Sequence, residues 1–199
     1  GLRGPMALPG NYLVMLKIGN QTHSQQFSLL KDPRSKATPT DMEDRLELLL
    51  KIRDKLSEID DALNNIRSLT HQILNWTSQS KNNASWRSIG EDGQSLIAKM
   101  ALIEKELTQT TIDGKSDHLA RLDAKLSGLV NTVATADGAP TKQAYELFIN
   151  LSTRVDIQLD KLNDIIHTDA RALAARLLEF GAQVLVFRDE NNRHNPVSN

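Results

Sequence analysis

The sequence predicts a mainly α-helical protein: a long antiparallel helical bundle of three rods, the middle one broken, preceded by a β-hairpin. Three observations carry this reading. Beyond Pro39, apolar residues recur three and four apart over most of the chain, which is the period of an amphipathic helix. Before it, residues 10–30 alternate with period two about a Gly19-Asn20 turn. Aromatic residues make up 4% of the chain, too few to favour a sandwich core over helical packing.

The first strand is predicted from Asn11 to Leu16, with Tyr12, Val14 and Leu16 on the inner face and Leu13, Met15 and Lys17 on the other. Pro9-Gly10 punctuates its entry, and the return strand is predicted near Thr22 to Leu30, with Phe27 and Leu29 inward. A two-stranded hairpin is marginal by itself in water, so this one needs a partner.

After the linker at 31–41 the period changes. Thr40 and Glu43 have the spacing of a capping box. Leu49, Ile52, Leu56, Ile59, Leu63, Ile66 and Ile73 then mark one face of a helix of about ten turns, interrupted at Thr70. The polar stretch 77–93 reads as a long loop. A second helix is predicted from Gln94 to Gln109 on Leu96, Met100, Ile103 and Leu107. A third follows from about Ser116 to Thr135 on Leu119, Leu122, Leu126, Leu129 and Val133.

Gly138 and Pro140 break the chain, and a fourth helix carries Phe148, Leu151, Val155, Leu159, Leu162 and Ile166. The expected division is therefore a hairpin at 1–34, a bundle at 38–180 and a disordered tail at 181–199. Short polar connections make successive helices antiparallel.

Composition excludes several function classes. With 24 basic and 25 acidic residues the net charge is -1, so no field draws nucleic acid, and no nucleic-acid partner is expected. The absence of cysteine excludes a disulfide framework, a thiolate metal site and a cysteine nucleophile. No apolar run approaches the roughly 18 to 20 residues of a membrane span, so none is predicted. The start lacks a leader pattern and an initiating Met, which reads as a processed chain or the tail of a longer one.

The search for chemistry ends on packing. None of the five histidines pairs with another at the i, i+4 spacing of a helical metal site. His167 with Asp164 and Asp169 is the densest group, but spacings of three and two do not share a helix face. Glu47, Asp54, Glu58, Asp60 and Asp61 are interleaved with Lys51, Arg53 and Lys55, the pattern of a solvated helix face. No phosphate-binding glycine loop or nucleophile elbow occurs, and neither catalytic residue nor cofactor nor metal is assigned. Trp76 and Trp86 flank the polar stretch and, with Tyr12 and Phe27, are the candidate interaction residues.

Two segments carry a resemblance. Residues 8–34, through Pro9, Gly10, Tyr12, Val14, Leu16, Phe27, Asp32, Pro33 and Arg34, resemble the closing strands of the β-sandwich in large bacterial secreted proteins with a sortilin-type β-propeller, often labelled BNR-repeat glycosyl hydrolases. Residues 122–166, including Ala139-Pro140-Thr141, are similar to the terminal helical region of that family. The stretch from about Arg171 onward matches nothing in it.

The resemblance implies a secreted or periplasmic location and a non-catalytic C-terminal structural or interaction module. Its partners would be the sandwich and propeller upstream in the same polypeptide, with a homo-oligomer through leftover apolar surface as a further expectation. The alternative is an accessory part of a glycoside hydrolase whose active site lies on the absent propeller. A third reading is a free-standing adaptor whose hairpin packs on its own bundle.

Overall fold

The computed structural model describes residues 4–79, 84–109, 111–112, 115–116, 120–179 and 185. The protein is mainly helical with a two-stranded antiparallel hairpin at its N-terminal end, as the sequence predicts. Strands β1 (Gly10–Ile18) and β2 (Gln21–Leu29) are followed by α1 (Pro39–Gln79), α2 (Ala84–Leu107), a short β3 (Thr111–Ile112) and β4 (Lys115–Ser116) pair, α3 (Leu122–Thr135) and α4 (Lys142–Ile165). A π turn (Ile166–Ala170) then leads into α5 (Arg171–Glu179).

Two compact units divide the chain. The first comprises Gly1–Lys55 with Lys125–Leu151, the second Leu56–Ala124 with Ser152–Asn199. Helices α1 and α4 begin in the first and end in the second.

In the first unit Leu48, Leu49 and Ile52 of α1 are buried with Leu126, Leu129 and Val133 of α3 and with Ala144 and Leu151 of α4. Helix α1 starts two residues earlier than the Thr40 and Glu43 spacing suggests. Thr38 is the cap: its Oγ1 accepts from the Asp41 amide at 3.1 Å while Asp41 Oδ2 accepts from the Thr38 amide at 2.7 Å. Pro39 takes the first helical position, where its missing N–H costs nothing. The linker before it is tied to the loop between α3 and α4. Ser35 Oγ donates to Asp137 Oδ1 at 2.5 Å, the Lys36 amide donates to Asp137 Oδ2 at 3.1 Å, and Arg45 donates to the Ala136 carbonyl.

In the second unit Ile59, Leu63, Ile66, Leu69 and Ile73 of α1 form one stripe, facing Leu96, Met100, Ile103 and Leu107 of α2. Arg67 Nε donates to Glu104 Oε1 at 3.1 Å, and Gly93 lies against Ile73, so the two helices run antiparallel. The expected loop at 77–93 is a correction. Helix α1 continues to Gln79 and α2 begins at Ala84, ten residues before the predicted Gln94. Two features explain it: Ile89 is buried, and Gly93 is the place where α2 closes on α1.

The third helix begins at Leu122 rather than near Ser116, because the chain first forms the β3 and β4 pair. Asp123 Oδ2 accepts from Thr108 Oγ1 at 2.6 Å, joining the end of α2 to the start of α3. Leu119, predicted on the α3 stripe, lies outside the described residues.

The stripe of α4 continues into α5 through the π turn. At 100° per residue, the buried Ala170, Leu173, Ala174 and Leu177 would stand about 70° ahead of Leu151, Val155 and Leu162 on an unbroken α-helix. A wider i→i+5 turn winds the chain back and keeps both sets inward. Lys99 of α2 pairs with Asp169 at 2.6 Å, and Arg176 of α5 pairs with Asp92 and donates to Ser88 Oγ at 3.1 Å. The expected tail at 181–199 lies outside the described residues, except Leu185, which is buried.

Candidate functional site

The candidate surface is the hairpin in the first unit. Its geometry follows from the alternation. Nine residue pairs run without a bulge from Ile18↔Gln21 to Gly10↔Leu29. The two-residue turn is closed by Gly19 at φ 58°, a conformation that a side chain resists.

One face presents Tyr12, Val14, Leu16 and Ile18 of β1 beside Gln21, His23, Gln25, Phe27 and Leu29 of β2. Tyr12 and Phe27, directly opposite in the register, stack at 5.7 Å with their planes 24° apart. The Tyr12 hydroxyl donates to the Leu8 carbonyl at 2.6 Å, which pins the ring over the strand entry. The other face presents Leu13, Met15 and Lys17 of β1 beside Thr22, Ser24, Gln26 and Ser28 of β2. There Ser28 Oγ donates to Asn11 Oδ1 at 2.6 Å across the pair.

No residue of either strand is buried, and Tyr12 alone is half-buried. Leu13, Met15 and Ile18 are 52%, 68% and 61% exposed, and Val14, Leu16, Phe27 and Leu29 are exposed as well. A contiguous apolar patch on a sheet marks an interaction surface, since single exposed apolar residues need no explanation but a group does.

The four candidates therefore separate. Tyr12 and Phe27 are brought together on the open face. Trp76 stands half-buried near the end of α1, and Trp86 lies in the first turn of α2 with its side chain outside the described residues. Because residues 77–79 and 84–93 of the expected loop are helical, neither tryptophan flanks a loop as broad as the sequence suggests. Leu13, Met15 and Ile18 are surface residues that the choice of candidates omitted. Their signal is the apolar run from Tyr12 to Ile18, broken only by Lys17, which is the pattern of strands buried on both faces.

Polar groups elsewhere support packing. Asp169 is paired with Lys99, and His167 is exposed beside it. His118 and His194 lie outside the described residues. Among the described residues no group of three or more His, Asp or Glu could hold a metal ion, and no helix is long and apolar enough to cross a membrane. A half-open groove of about 380 Å³ in the second unit is lined by Glu58, Asp61, Asn65, Asp160 and Asn163, of which Glu58 and Asp61 are already engaged in polar contacts.

Among the described residues the shifted ionisable groups lie in the first unit. Hydrogen bonds from the Ser35 hydroxyl and then the Lys36 amide hold the Asp137 carboxyl below the usual carboxylate range. The Thr38 amide and hydroxyl do the same for Asp41, and the Arg34 guanidinium and amide for Asp32. Burial, with Asp44 and Glu47 nearby, pushes the Tyr145 phenol up. Each serves a cap, a turn or a packing contact. Set against known proteins, the chain matches no family model, no curated protein and no solved structure.

Proposed function

We propose that this chain is a non-catalytic C-terminal structural and interaction module of a larger secreted β-propeller protein. In that reading β1 and β2 are the last strands of a sandwich, and the face of Tyr12, Val14, Leu16, Phe27 and Leu29 is covered by strands that precede them in the parent polypeptide. The supporting observation is that the β1 side of this face and its Phe27 and Leu29 end are apolar and open, while the helices bury their own stripes without it. Covering a Val, Leu or Phe side chain contributes about 1.5–3 kcal/mol, so a few of these residues suffice to dock a sheet.

The test extends the polypeptide upstream and compares hydrogen exchange of the β1 and β2 amides with that of the 199-residue chain. The expected result is slower exchange at Val14 and Phe27 in the longer protein, with helix amides unchanged. Equal exchange in the two, or an upstream frame without short strands ending in Asp-box-like turns, would refute the reading.

A further inference from the structure

We propose that the free edge of β1 pairs with β1 of a second copy of this chain, antiparallel about Val14, to form a four-stranded sheet across a two-fold axis. The inference goes beyond the parent reading, because it concerns the 199-residue chain as it stands and the edge of the hairpin rather than its face.

Three observations lead to a second copy. The first is the direction of the backbone groups. In a hairpin closed by a two-residue turn the flanking residues, here Ile18 and Gln21, form a hydrogen-bonded pair, so the even residues of β1 bond inward to β2. The N–H and C=O groups of Asn11, Leu13, Met15 and Lys17 point outward along an open edge.

The second is that the devices by which edges are normally blunted are missing from β1. It has no proline inside the strand, no bulge over its nine pairs, and one charge, Lys17, near its end. Strand β2 is the contrasting edge, with Thr22, Ser24, Gln26 and Ser28 filling one face, so pairing there would bring polar groups together.

The third is self-complementarity. Val14 is the midpoint of Gly10–Ile18, so this register pairs the whole strand with its copy. Leu13 falls opposite Met15 of the second copy and Asn11 opposite Lys17, with outward backbone groups facing outward groups. Tyr12 falls opposite Leu16 and Val14 opposite Val14. No like charges meet, and apolar neighbours match on both faces, whereas moving the axis to Lys17 would oppose two ammonium groups. Packing on the Tyr12 face alone would leave Leu13 and Met15 uncovered; edge pairing uses both faces at once.

The chain has no cysteine, so single-cysteine variants report the pairing directly. Val14 pairs with its copy as a non-hydrogen-bonded pair with Cα atoms about 4.5 Å apart, within disulfide range. Under mild oxidation Val14→Cys is expected to give at least ten times more covalent dimer than Gln25→Cys, which sits opposite Val14 inside the hairpin. Sedimentation equilibrium of the unaltered chain is expected to give twice the 22.2 kDa chain mass. Met15→Lys should halve it, leaving the circular dichroism unchanged because the side chain is solvent-facing.

A monomer at high concentration overturns the inference, as does a dimer that survives Met15→Lys. Equal cross-linking of Val14→Cys and Gln25→Cys would indicate face-to-face packing and overturns it too. The parent reading is judged by exchange in the longer polypeptide, so either can fail without the other.

Discussion

Gly93 of α2 lies so close to Ile73 of α1 that a Cβ built on it would stand 2.8 Å from Ile73 Cγ2. Ile73 is buried, and its branched side chain has little freedom to move aside. Gly93→Ala is therefore expected to destabilise the second unit by about 1–3 kcal/mol, overpacking outweighing the roughly 1 kcal/mol of helix propensity gained. Gly90→Ala, one turn earlier with open space around it, should stabilise by about 0.5–1 kcal/mol. Urea midpoints of the two variants should move in opposite directions; equal shifts would show that the close approach has no energetic weight.

The reciprocal cap between Thr38 and Asp41 sets where α1 begins. Thr38→Ala is expected to cost about 1 kcal/mol, measured by denaturant unfolding, and Thr38→Ser much less. Thr40→Ala, at the position the sequence pattern favours, should be close to neutral.

Asp137 joins the linker before α1 to the loop before α4 through Ser35 and Lys36. Its carboxyl, like those of Asp41 and Asp32, titrates below its unfolded value. Such a group contributes stability that is fully present above the unfolded pKa, about 3.9, and is lost as pH falls through the lower folded value. Protection of the Lys36 amide against hydrogen exchange should thus persist down to the unfolded carboxylate value, about 3.9, and disappear only on acidification below it. In Asp137→Ala it should already be absent at neutral pH.

Ser152 Oγ on α4 is buried without a hydrogen-bond partner among the described residues. Removing an unsatisfied hydroxyl while improving helix propensity should stabilise, so Ser152→Ala is expected to gain about 0.5–1.5 kcal/mol. A loss of stability on thermal unfolding would mean that the hydroxyl has a partner.

Much of the fold was legible because periodicity and burial report the same thing. Leu49, Ile52, Leu56, Ile59, Leu63, Ile66 and Ile73 were marked by spacing, and all are buried. The hairpin turn at Gly19-Asn20 was legible from local chemistry. What misled was context. The Ser, Asn and Gly residues of 77–93 have loop propensity, but Ile89 and the fit of Gly93 against Ile73 override it through a partner helix that single-residue propensity does not contain. Of the candidate surface, the division of β1 into a Tyr12, Val14 and Leu16 face and a Leu13, Met15 and Lys17 face was legible from alternation. The outer Leu13 and Met15 were discounted because a strict two-period reading assigns one face to solvent.

The π turn between α4 and α5 has a consequence for what evolution or engineering can do to this segment. The drift of about 70° that it corrects is close to the 100° contributed by one helical residue. A chain one residue shorter between Ile166 and Ala170 would therefore form an unbroken α-helix with the mean direction of the Ala170, Leu173, Ala174 and Leu177 set within about 30° of that of Leu151, Val155 and Leu162. The turn is the footprint of one surplus residue, absorbed locally so that the angular phase of the stripe, and not the length of the helix, is what stays constant.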